Sequence, residues 1–98
     1  MVWDVDWSHG AAHMWAEHQL RPEVADEALV DEDAVMFDPD PKSTSGVSAR
    51  VIGFSPSVAA VVVVILVRRE DRPGAWWGAN GWVANSSDRR IYQEGKQS

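Results

Sequence analysis

Residues 58–67 read VAAVVVVILV, ten apolar positions with no charge, proline or glycine among them. As a helix the run reaches about half of the ~20 residues that a bilayer crossing requires, so it is not a transmembrane span. Its β-branched side chains suit a strand, which the sequence extends to Arg68. Polar and apolar residues do not alternate along it, so both of its faces must be covered. Helices are expected on one face. A protein interface is the natural cover for the other, supplied by a second copy of the chain in a homodimer or by another partner, and an extra helix would serve equally.

Downstream, residues 69–74 (REDRPG) form a polar hairpin turn, and residues 75–84 form a further strand carrying Trp76, Trp77, Trp82 and Val83. Asn85 or Ser86 can cap a last helix that runs to about Gly95 as its C′ residue. Upstream, Ser55-Pro56-Ser57 is a turn, residues 47–54 a strand, residues 39–46 (PDPKSTSG) a mobile surface loop, and residues 34–37 a first short strand. Two helices precede it. One covers residues 7–19, with Ser8 as N-cap and Ala11, Ala12, Met14 and Trp15 as its apolar stripe. The other spans residues 22–30 and opens on Pro22, with Val24, Ala25, Ala28 and Leu29 facing inward. The expected fold is α+β: two N-terminal helices, a four-stranded antiparallel sheet with helices on one face, and a C-terminal helix.

Ninety-eight residues fit one domain, and the absence of cysteine permits a reducing compartment, with the cytoplasm as the default. The start, MVWDVDW, has neither the basic nor the apolar region of a signal peptide. Net charge is −6 but unevenly spread: residues 1–49 hold eleven carboxylates against Arg21 and Lys42, whereas residues 50–98 hold seven basic side chains against four acids. Phosphate contact would therefore use the C-terminal half, and a basic partner the N-terminal half.

His9, His13 and Glu17 recur every four residues and invite a metal, but His18 points about 100° away from Glu17 on an ideal helix and no H-E-x-x-H pattern is present. An exposed histidine-bearing face is the plainer reading, and no metal is expected. Asp31, Glu32, Asp33, Asp38 and Asp40 read as turn and surface acids rather than an acid–base pair. Gly74, Gly78 and Gly81 match neither a P-loop nor a dinucleotide fingerprint, so no cofactor is expected. Arg89, Arg90 and Tyr92 on the last helix, with Arg68, Arg69 and Arg72 at the hairpin, unite guanidinium groups and aromatics as RNA contact requires, although solvated or ion-paired arginines would look the same. Six tryptophans in so short a chain are chiefly core filling, with one or two expected at a protein interface.

Five local patterns resemble the BrnT family, ribonuclease toxins of type II toxin–antitoxin pairs with a RelE-like fold. They are Trp3-Asp4, Glu17-His18-Gln19, the acidic second helix from Glu23 to Leu29, Asp38-Pro39, and Ala84-Asn85-x-x-Asp88-Arg89-x-x-Tyr92. The last keeps the family's intervals from alanine to acid to tyrosine. The resemblance implies a metal-independent endoribonuclease acting on messenger RNA and neutralised by a cognate antitoxin. It implies His18, Arg89 and Tyr92 as catalytic residues and Arg50, Arg68, Arg89 and Arg90 as RNA contacts. The chain departs from the family at Trp82, which stands where the family carries an arginine, and an indole cannot replace a guanidinium. That departure implies an alternative: a RelE-like interaction or regulatory module that binds its partner through Trp76, Trp77 and Trp82.

Overall fold

The computed structural model describes residues 3–97, in the order β1 (Val5–Asp6), α1 (Ala11–His18), α2 (Pro22–Leu29), β2 (Val35–Phe37), β3 (Ser48–Ser55), β4 (Ala60–Arg68), β5 (Trp76–Val83) and α3 (Ser86–Gln97). The strands form one sheet in the order β1-β5-β4-β3-β2. The four expected strands pair antiparallel throughout. A fifth, β1, adds parallel to β5 at Val5–Trp76 and Asp6–Trp77, so the sheet is five-stranded and mixed rather than four-stranded and antiparallel. Two residues are too short a run to carry a strand signature in the sequence; β1 exists because Trp3 and Val5 pack on the sheet's apolar face beside Trp76.

The run at residues 60–68 is the central strand, and alternate side chains point to opposite faces. Val62, Val64 and Leu66 join Met14, Leu20, Val24, Ala25, Ala28 and Leu29 in a core beneath α1 and α2. Val61 and Val63 join Ile52, Ala84 and Tyr92 in a second core beneath α3. Helices thus cover both faces instead of one, and α3 is the extra helix that shields the second face of β4. The inward face of α2 is as the spacing predicts, with Val24, Ala25, Ala28 and Leu29 all buried. It lies so close that a Cβ on Gly53 of β3 would come 2.1 Å from the Ala28 carbonyl oxygen.

Three helix details differ from the sequence reading. Helix α1 begins at Ala11 with Gly10 as its N-cap, and Ser8 lies before it in a local turn in which its backbone N–H donates to Asp6 Oδ1 at 2.8 Å. His9 consequently lies outside the helix, and the four-residue histidine repeat does not share one helical face. Trp15 is 50% exposed, beneath the Arg21 guanidinium 5.4 Å from its ring, and Ala12 is exposed too, so Met14 alone is fully buried from that stripe. Helix α3 continues through Gly95 rather than ending there; a Cβ at Gly95 would meet Val35 Cγ2 at 2.7 Å, and glycine serves close approach to β2 rather than a left-handed cap. Its other end follows expectation, with Asn85 Oδ1 accepting the Asp88 N–H at 2.9 Å.

Candidate functional site

The face of the sheet that carries α3 is only partly covered by it. Cross-strand register lines up Phe37, Arg50, Ile65 and Asn80 in one row, with Ser48, Val67 and Trp77 in the next. Directly paired residues project to the same side, so these rows and Trp82, paired with Val63, form one surface. Between Ile65 and Leu66 the β4–β5 register steps over Ala79. This bulge makes Trp77 and Trp82, five positions apart, face the same way; in an unbroken strand they would point oppositely. Trp76 falls on the other side, packed with Trp3 against the helix-covered core. The three tryptophans expected as one partner surface are therefore divided, two against one.

Each half-buried indole is flanked by a charged or imidazole group. Trp82 lies between His18, 5.5 Å away, and the Arg50 guanidinium, 5.6 Å away. Trp77 lies between the His9 ring, edge-on at 4.6 Å, and the Arg69 guanidinium at 4.0 Å. Beside Trp77, a groove of about 460 Å³ follows the bulge along His9, Val67, Gly78 and Ala79.

Arg50, expected on RNA, is only 7% exposed. Its Nε donates to Asp40 Oδ1 at 3.1 Å, and its Nη1 lies 3.7 Å from Asp88 Oδ1. Two carboxylates and an indole face thus enclose it. The hairpin arginines are paired as well: Arg68 with Asp38, Arg69 with Asp71 and Asp6, and Arg72 with Asp4. Asp4, Asp6, Asp38 and Asp40 of the acidic first half thus fold back onto Arg72, Arg69, Arg68 and Arg50 of the second.

Tyr92 and Arg89, expected to be catalytic, come together in a different place, a cleft of about 540 Å³ between α3 and the β3–β4 hairpin. Tyr92 is buried, and its hydroxyl donates to Asp31 Oδ2 at 2.6 Å. Burial first, and then this bond to an anion, push the phenol well above the ordinary tyrosine range, so the hydroxyl stays a donor even at a pH where a free tyrosine ionises. Burial also raises Asp31, but donation from Tyr92 and from the Phe54 and Asp33 backbone N–H groups outweighs it and leaves the carboxyl below its usual range. Arg89 Nη1 donates to the Ala84 carbonyl at 3.1 Å, while Arg90 is exposed on the same helix. His18 stands with Trp82 at the β5 edge and does not line the cleft of Tyr92 and Arg89.

Sequence reasoning missed the carboxylate partners: Asp40 and Asp88 on Arg50, Asp31 on Tyr92, and Glu27, which accepts from Ser55 Oγ, Ser57 N and Ser57 Oγ and ties the hairpin to α2. Among the described residues no group of three histidine or carboxylate side chains is placed to hold a metal ion, and no helix is long and apolar enough to cross a membrane. No protein-family model matches the chain, and no curated protein matches it.

Proposed function

We propose that this chain is a RelE-like interaction module, a divergent relative of the BrnT toxins that binds a protein partner without cleaving RNA. The observation that carries the reading is the enclosure of Arg50 by Asp40, Asp88 and Trp82. A RelE-like nuclease stabilises developing phosphate charge with free guanidinium groups. Here the guanidinium on the sheet is already neutralised, an indole takes the family's arginine position, and the Tyr92 hydroxyl is engaged as a donor to Asp31. The half-buried Trp77 and Trp82 beside Ile65 and Val67 supply the rigid aromatic anchors that protein interfaces favour. After the short parallel β1, the order of two helices, four antiparallel strands and a helix is the one expected of a RelE-like frame. The partner is an antitoxin-like protein encoded beside this one, and the encounter takes place in the cytoplasm.

Expression of the chain alone in a bacterium tests the reading: growth continues and transcripts stay intact, whereas cut transcripts would sink it. Retention of the neighbouring gene product on immobilised protein, lost in Trp77→Ala, is the positive counterpart. The nuclease reading keeps one observation in its favour, the exposed basic groups Arg89 and Arg90 on α3, which lack carboxylate partners among the described residues.

A further inference from the structure

Residues 22–41 hold eight carboxylates and no basic side chain. Asp38 and Asp40 are paired with Arg68 and Arg50. Among the described residues the other six, on α2 and in the loop to β2, have no cation within ion-pair distance. Glu27 and Asp31 accept from Ser55, Ser57, Tyr92 and backbone N–H groups. Such neutral donors fix a carboxylate in place and leave its charge uncancelled. Lys96 acts on Asp31 from the α3 side.

Two largely apolar grooves open along this acidic stretch and share Val30, a residue 67% exposed. One, of about 340 Å³, is formed by Trp3, Leu29, Val51 and Met36, the last 39% exposed. The other, of about 310 Å³, reaches Phe54 and Pro56 at the β3–β4 hairpin. Asp31 and Glu32 line both grooves and Glu27 the second, and among the described residues no basic side chain lines either. Large apolar groups left open to water beside charges of one sign call for a cover that is both apolar and cationic.

We infer that these grooves receive a lysine- or arginine-bearing apolar segment of a partner protein, with apolar side chains beside Val30 and Met36 and cations on Glu32 and Glu27. The phosphates of a nucleic acid would meet carboxylates throughout. A second copy of the chain brings a net charge of −6, and the exposed described residues of α3, where its Arg89, Arg90 and Lys96 stand, include no apolar side chain to fill the grooves. Strand order puts β2 and β5 on opposite sides of the sheet centre, so this contact goes beyond the tryptophan surface and does not rest on it.

Fluorescence anisotropy of the full chain with a labelled leucine–lysine peptide tests it, beside a leucine–glutamate peptide and a single-stranded ribo-oligonucleotide. Saturable binding of the basic peptide is expected, weakened about tenfold or more by Glu32→Lys and clearly by Val30→Ser. Glu17→Lys on α1 makes the same change in net charge away from the grooves and weakens it far less, and Trp77→Ala leaves it unchanged. Val30, Glu32 and Glu17 are exposed, so their variants keep the fold. No saturable binding, equal loss at Glu17 and Glu32, indifference to Val30→Ser, loss in Trp77→Ala, or tighter binding of either comparison ligand would overturn the inference. Self-association of the chain abolished by Val30→Ser would overturn it too, by giving the grooves to a second copy.

Discussion

Tyr92 is the chain's one tyrosine, so its ionisation can be followed without interference from another phenol. Its raised pKa means that the folded state favours the neutral form: this contribution is complete below the unfolded value of about 10 and is lost as pH rises beyond it. Phenolate absorbance is therefore expected only at distinctly higher pH than for free tyrosine, or together with unfolding. Tyr92→Phe should lower stability by about 1.5–3 kcal/mol in urea titration, the range for a hydrogen bond to a charged acceptor. Arg50→Ala should cost more, about 3–5 kcal/mol, because it strands Asp40 and Asp88 as buried charges without a cation. Both residues stood out in the sequence, as a cation and as a ring. What they do there was hidden, since Asp40 lies ten positions from Arg50 and Asp31 sixty-one from Tyr92, and no local pattern links them. A guanidinium that looks free for phosphate is, in the fold, half of an ion pair.

At the scale of elements, legibility followed periodicity and caps. The four-residue rhythm of α2 fixed its buried face, and Asn85 marked the start of α3. Helix α1 misled: Ser8 could cap in principle, but it lies before the helix in a turn bonded to Asp6. Glycine was equally ambiguous: at Gly95 the sequence suggests a helix end, and the packing of α3 on Val35 gives the actual reason for the missing side chain. Gly53 makes the same point more forcefully. An alanine there would drive a methyl group into the backbone of α2, so Gly53→Ala should destabilise by about 3 kcal/mol or more and loosen α2 from the sheet. Hydrogen exchange would report this as faster exchange in α2 than in α3. Uniform protection in both helices would show that the contact is softer than its geometry implies.

For the whole molecule, the sequence implied two cores only as a demand that β4 be covered twice; it assigned helices to one face and left the other open between an interface and an extra helix. The answer, α3 across one face and two helices across the other, depends on which way the chain turns after β5, a choice no periodicity records. The charge asymmetry was visible, but its resolution by folding, acid against base, was not. Global stability should follow the carboxylates. Glu27, lowered by its bonds from Ser55 and Ser57, and Asp31, lowered despite burial, both have folded values beneath their unfolded ones. Their contributions are present above about pH 4 and are lost as pH falls through the folded values. Acid unfolding is therefore expected below pH 4, and a Glu27→Gln, Asp31→Asn double variant should show a flatter pH dependence at lower overall stability. The bulge at Ala79 acts on the same scale through one residue. It works as a parity element: odd and even positions of β5 exchange sides across it, so a β5 that took Ala79 into the ladder as an ordinary paired position would present Trp76 outward in place of Trp77 without altering a single side chain's identity.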